Sequence, residues 1–233
     1  MSRRRLAIIL PVYNPHEDWE DKISHSVREL DRYFLHDDYQ IVIVNDGSRD
    51  VNIAFQKSHD NVICFSYDVN AGKGHAIRHA LAHTDADFYV YTDFDFPFGY
   101  ASVLDTYHKL KNGQASLVIG TRARSYYKML PWKRLLISKS LLVVNFFLTG
   151  FKIKDTQAGL KGLDNKAKAV FLKTRINGFI FELEFIRDCI SAQLVWTQLE
   201  VAPDHGIHFS DFGYDTLWRE FIDLVKIIFA RGQ

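Results

Sequence analysis

Residues 88–95 read FYVYTDFD, an apolar run, Phe88–Thr92, that stops on two carboxylates, Asp93 and Asp95. A run this short, rich in aromatic residues and closed by a polar turn, predicts a buried strand. The same pattern recurs on both sides of it. Leu6–Val12 (LAIILPV) ends at Tyr13-Asn14-Pro15, Ile41–Val44 (IVIV) ends at Asn45-Asp46-Gly47-Ser48, and Val62–Phe65 ends near Asp68. Ser116–Gly120 is a fifth run. Helical patterns separate these runs. They span about His16–Leu35, the stretch from the turn Asn70-Ala71-Gly72-Lys73-Gly74 to about His83, and about Ala101–Leu110. Strands that alternate with helices predict an α/β fold with a mostly parallel sheet flanked by helices. In such sheets ligands bind beyond the carboxyl ends of the strands, where each polar cluster falls.

The second half is less regular. Trp132–Gly150 is apolar with sparse cations, and Asp155–Leu163 (DTQAGLKGL) reads as a loop and a short strand. Helices are expected near Asn165–Leu172, Phe181–Ser191 and Asp215–Ala230, and a strand over Leu194–Val201. No internal repeat, low-complexity segment or linker interrupts the chain.

Its 233 residues carry 29 Lys and Arg against 28 Asp and Glu, a net charge of +1. That balance excludes a disordered tail protein and a globally basic nucleic-acid binder, so no nucleic-acid partner is expected. Cys64 and Cys189 lie in apolar surroundings and read as reduced core thiols of a cytoplasmic protein. No signal-peptide pattern follows Met1. The longest uncharged apolar stretch, Leu141–Phe151, has eleven residues, short of the roughly 18–20 that span a bilayer. Between Asp105 and Asp155 stand ten cations and no Asp or Glu: Lys109, Lys111, Arg122, Arg124, Lys128, Lys133, Arg134, Lys139, Lys152 and Lys154. Such a block suits a phosphate-bearing substrate or an anionic membrane surface; its plainer reading is a solvated basic face.

Three clusters carry chemistry. Asp93-Phe94-Asp95 suits a divalent cation shared with a diphosphate, because Mg²⁺ and Mn²⁺ take oxygen ligands. Asn45-Asp46-Gly47-Ser48 places a carboxylate at a strand mouth, though each of these residues also favours a plain turn. Asn70-Ala71-Gly72-Lys73-Gly74 lacks Walker A spacing, yet a glycine turn with a lysine at a helix start can hold an anion. The ten histidines show no trusted ligand spacing. His205 and His208 read as solvated loop residues, with late contact to a diphosphate or metal as the alternative.

Taken together and in this order, Pro11-Val12-Tyr13-Asn14, Asn45–Ser48, Asn70–Gly74 and Asp93–Asp95 resemble the family-2 glycosyltransferases of the GT-A fold. Gly120-Thr121-Arg122, Arg134 with Ser138, Asp155–Lys161 and Phe179–Glu184 make the chain most similar to the polyprenyl-phosphate mannose or glucose synthases. The resemblance covers roughly Leu6 to Pro203. It implies one GT-A domain over residues 1–233, with 1–120 as the nucleotide-sugar half and 121–233 as the acceptor half. It further implies that Pro11, Tyr13 and Asn14 line the base pocket, that Asp46 grips the base and that Lys73 helps hold the donor. Asp93 would serve the ribose side and, with Asp95, the metal, Mg²⁺ or Mn²⁺. Arg122, Arg134 and Ser138 would bind the acceptor phosphate, and Asp155 and Gln157 would lie near sugar and metal.

Two positions depart from the family pattern. Pro15 stands where relatives often carry Glu, and Pro97 where the polyprenyl-phosphate synthases commonly carry Gln. The Gln-x-x-Arg-Trp signature of processive polymerases is absent. The expected reaction is inverting sugar transfer from a nucleotide-diphosphate sugar to a polyprenyl phosphate. The alternatives are transfer to a saccharide hydroxyl, with Asp155 or Glu182 as base, and a degenerate nucleotide-sugar-binding module. Trp132–Phe151 reads either as an interfacial helix, giving peripheral membrane contact, or as a core helix.

Overall fold

A computed structural model describes residues 5–15, 18–49, 59–123, 126, 153, 155–178 and 180–203. The expected helix over 215–230, the apolar segment 132–151, Arg134, Ser138, His205 and His208 lie outside the described residues.

Each apolar run of the first half forms a strand: β1 (Arg5–Val12), β2 (Asp38–Asp46), β3 (Val62–Tyr67), β4 (Phe88–Tyr91) and β5 (Leu117–Arg122). Helices α1 (Trp19–Tyr33), α2 (Lys73–His83) and α3 (Gly99–Lys111) connect them. Then come β6 (Lys161–Asp164), α4 (Asn165–Phe171), α5 (Phe181–Ser191) and β7 (Trp196–Val201). The seven strands make one sheet in the order β3-β2-β1-β4-β6-β5-β7. β2 runs longer than its apolar residues, because backbone pairing with β1 draws Asp38, Tyr39 and Gln40 into register opposite Arg5, Leu6 and Ala7.

The core lies on both faces of the sheet. Leu6, Ile8, Leu10 and Val12 of β1 pack with Trp19, Ile23, Val27 and Leu30 of α1 and Val103, Tyr107 and Leu110 of α3. Ala7 and Ile9, pointing the other way, pack with Ala76, Ile77, Ala80 and Leu81 of α2, Phe171 of α4 and Phe181 and Phe185 of α5. This period of two is what a strand covered on both faces requires.

Among the described strands β6 alone reverses direction. It pairs antiparallel with β4 on one side and β5 on the other, so β4 and β5 run parallel. β6 therefore enters the sheet at the edge where β1, β2, β4 and β5 leave it. The loop 155–160 that leads into β6 lies along that edge, together with Asp46, Asp93, Asp95 and Arg122.

Candidate active site

Asp93 and Asp95 follow β4 in a tight turn. Phe96 N–H donates to the Asp93 carbonyl at 3.0 Å, and Phe96 has φ +47°, a strained value for an aromatic residue. Lys73, first residue of α2, donates from Nζ to Asp93 Oδ1 at 2.5 Å. Burial alone would depress the Lys73 ammonium; Asp93, Glu182 and Asp95 outweigh it and hold its pKa above the ordinary value. The second oxygen, Asp93 Oδ2, lies so close to Gly159 that a Cβ there would sit 2.3 Å from it. Partial desolvation, and then the like charge of Asp93, hold the Asp95 carboxyl above its usual range. Two carboxylates on one turn, one of them with its pKa raised by burial and by the charge of the other, fit a divalent cation. Among the described residues no three His, Cys, Asp or Glu side chains converge as a full ligand set.

Asp46, at the end of β2, is buried, and its carboxylate accepts four hydrogen bonds. Oδ1 accepts from Tyr67 Oη at 2.7 Å and Ala71 N–H at 2.8 Å, and Oδ2 from Asn70 Nδ2 and Gly72 N–H, each at 3.0 Å. It organises the turn before α2. The glycines of that turn answer a backbone approach: a Cβ on Gly72 would lie 2.5 Å from Asn177 O, and one on Gly74 2.7 Å from Ile176 O. Arg78 of α2 clamps the same segment, donating to Asn177 Oδ1, Thr174 Oγ1 and Ile176 O at 2.8, 3.0 and 3.1 Å. Tyr13 is half exposed at the end of β1, and Pro11 pairs with Val44 in the sheet. Asn14 ties the β1 end to the β2 end: its N–H donates to Ser48 Oγ at 2.9 Å, and its Oδ1 accepts from Arg49 N–H at 3.1 Å.

Arg122 and Asp155 form a buried pair. Asp155 Oδ2 accepts from Arg122 Nε at 2.7 Å and Arg122 N–H at 3.0 Å, while Oδ1 accepts from Arg122 Nη2 and Gln157 N–H, each at 2.9 Å. Burial would raise the Asp155 carboxyl; the Arg122 guanidinium outweighs it and holds it below its usual range. Gln157 Nε2 reaches Thr156 Oγ1 at 3.3 Å. The Arg122 guanidinium also stacks on Tyr126, 4.7 Å from the ring centroid.

The motifs mark Lys161 only as the last residue of Asp155–Lys161, and the structure gives it a place of its own. Its Nζ is fully buried and donates to Ala158 O and, at 2.7 Å, to Glu182 Oε2. A lysine inside an apolar strand-like run is the signal that marks it. Glu184 accepts from Arg175 and Ile176 N–H at 3.0 and 2.8 Å and so anchors the segment before α5.

Residues 7–170 match the profile described as glycosyl transferase family 2. The chain belongs to that family. This family-2 glycosyltransferase is 27% identical over 202 residues to a dolichyl-phosphate beta-glucosyltransferase of Trichomonas vaginalis, covering 78% of this chain and 60% of that one. It is 24% identical to a UDP-N-acetylglucosamine–dolichyl-phosphate N-acetylglucosaminyltransferase of Methanococcus voltae, covering 73% of each. The chain thus spans about three fifths of the Trichomonas relative's length. Its fold is that of the GT-A glycosyltransferases. Mannosyl-3-phosphoglycerate synthase of Rubrobacter xylanophilus superposes with a TM-score of 0.73 at 18% identity, covering 98% of this chain and 74% of that one. Glucosyl-3-phosphoglycerate synthase of Mycobacterium tuberculosis, solved with Mn²⁺ and UDP, gives 0.67 at 16%, covering 98% and 80%. Among the described residues no helix of the glycosyltransferase is long and apolar enough to cross a membrane.

Proposed function

We propose that this glycosyltransferase moves a sugar from a nucleotide-diphosphate sugar to a polyprenyl phosphate with inversion. The observation that carries this reading is the state of the two carboxylates a hydroxyl acceptor would need as base. Asp155 has both oxygens committed to Arg122 and Gln157, and Glu182 is buried on Lys161. An acceptor that is already an anion needs no base. The dolichyl-phosphate relatives support the same acceptor class.

The donor lies across the carboxyl ends of β1, β2 and β4, its base against Pro11, Tyr13 and Asn14, beside the turn that Asp46 holds. Asp93 and Asp95 would hold Mg²⁺ or Mn²⁺, which supplies charge neutralisation to the departing diphosphate. Lys73 adds a fixed positive charge beside Asp93. The acceptor phosphate oxygen forms its bond to the anomeric carbon as the bond from that carbon to the diphosphate oxygen breaks, and the electron pair leaves on the diphosphate. Asp155 fixes the plane of Arg122, and Arg122, Arg134 and Ser138 orient the acceptor. Gln157 stands beside the sugar. A lipid acceptor brings the protein to a membrane surface from the cytoplasmic side as a peripheral protein, with residues 1–120 serving the donor and 121–233 the acceptor.

The test incubates the protein with Mn²⁺ or Mg²⁺, a panel of nucleotide sugars and a polyprenyl phosphate, and follows lipid-extractable label. Product from one donor, lost in Asp95→Ala and Arg134→Ala, is expected. Metal-dependent donor turnover without lipid product moves the acceptor to a saccharide hydroxyl. Nucleotide binding without turnover makes the chain a binding module.

A further inference from the structure

Beneath the donor edge lies a row of ionisable side chains that the transfer itself leaves unused. Lys161 of β6 stands in register opposite Tyr91 of β4, and both are fully buried. Glu182, in the first turn of α5, is 3% exposed. Burial pulls the Lys161 ammonium below and pushes the Glu182 carboxyl above their ordinary pKa values, and their 2.7 Å contact leaves the pair neutral as a whole. Among the described residues no hydrogen-bond partner meets Glu182 Oε1 or Tyr91 Oη within ordinary geometry, although burial, and then the nearby Glu182 carboxylate, raise the Tyr91 hydroxyl's pKa.

Such a pair is a poor device for stability. Two apolar residues of similar volume commonly serve as well, since desolvation cancels the Coulombic gain. Its geometry points elsewhere, toward Asp93. On one side, Lys161 Nζ holds the Ala158 carbonyl, and the next residue, Gly159, packs against Asp93 Oδ2. On the other side, the start of α5 packs on the first turn of α2, where a Cβ on Gly74 would lie 2.8 Å from Phe181 Cβ; from there the Glu182 charge supports the Lys73 ammonium, which holds Asp93 Oδ1. Both oxygens of Asp93 are thus located by groups that lead back to one buried pair.

We infer that Lys161 and Glu182 are positioning residues that aim Asp93 at the donor, acting through Lys73 and the Ala158–Gly159 peptide. The inference rests on the reading of Asp93 as a donor-side ligand. Outer partners of this kind change metal affinity about 10- to 100-fold when removed.

The experiment measures Mn²⁺-dependent binding of a panel of nucleotide sugars by calorimetry, with the thermal midpoint alongside, for the wild type, Glu182→Gln and the apolar pair Lys161→Met/Glu182→Leu. The expected result is a midpoint near wild type for the apolar pair, with binding weakened about tenfold or more. Binding that recovers along with the midpoint makes the pair structural and overturns the inference. Glu182→Gln, which keeps the shape, decides the matter if the apolar pair does not fold. Positioning lowers its affinity, whereas a structural role lowers its midpoint alone. If the wild type binds no nucleotide sugar with metal, the functional reading falls and takes this inference with it. Wild-type binding that both variants retain in full removes the inference alone.

Discussion

Asp155 grips Arg122 twice over, by its guanidinium and by its own backbone N–H, with Oδ2 at 2.7 Å from Nε and 3.0 Å from N. The contact joins the end of β5 to the loop before β6. Asp155→Asn removes the carboxylate charge from a largely buried ion pair, which costs about 3–5 kcal/mol. Denaturant titration checks this. The sign with pH follows from the depressed Asp155 carboxyl. Its contribution is present above the ordinary carboxylate pKa and fades as pH falls through the lower folded value. The gap between wild type and Asp155→Asn is therefore expected to narrow below about pH 4.

Gly159→Ala is expected to damage donor binding more than folding. The new methyl would lie 2.3 Å from Asp93 Oδ2, so the carboxylate must swing away from its place. Metal-dependent nucleotide affinity should fall while the circular dichroism spectrum stays that of the wild type. An unchanged affinity would show that Asp93 takes no part in holding the donor.

Gly47→Ala should act on stability first. Gly47 has φ +69°, and a Cβ there would meet Asn70 N at 2.4 Å and the Val69 carbonyl carbon at 2.5 Å. The backbone conformation alone costs about 1–3 kcal/mol for a residue with a side chain, and the overlap adds to it. A lower thermal midpoint is the readout.

His79 is expected to make the fold sensitive to mild acid. Its ring stacks on His83 with centroids 4.3 Å apart and meets Phe65 at 5.4 Å and Tyr67 at 5.6 Å. Burial, then the like charges of His83 and His75, hold its imidazole below the ordinary value. The unfolded chain takes up this proton near pH 6.5, but the folded one does so only at lower pH, so stability falls as pH drops through that window. Thermal midpoints from pH 7 to 5 should decline in the wild type and decline less in His79→Phe. Equal slopes would assign the acid sensitivity to other groups.

The strands β1, β2 and β4 are legible in the sequence because each is an uninterrupted apolar run that stops at a turn former. The carboxyl-end cluster follows from them, since parallel strands bring their ends to one edge. β6 is less plain. KGLD has four residues, one of them a lysine, and it is a strand because β4 and β5 flank it, not because of its own propensities. The glycines at 72 and 74 read as an anion cradle, whereas the backbone of residues 176 and 177 is what demands them. That approach spans about a hundred residues and leaves no local trace. The buried pairing of Lys161 with Glu182 is hidden for the same reason. The histidine row at 75, 79 and 83 was open to view, its spacing of four placing all three on one helix face.

β6 is also the one strand through which β5 and β7 join the rest of the sheet. This sets an order of assembly as the polypeptide leaves the ribosome. By residue 91 the four strands β3-β2-β1-β4 can close on one another, with β4 left as a bare edge. β5 emerges next but has no place to dock until residues 161–164 have been made. A nascent chain halted between these points carries unsatisfied backbone on β4 and a strand with no neighbour, the condition in which chains pair with one another instead. Four residues synthesised late thus decide when β4 and β5 come to share one sheet.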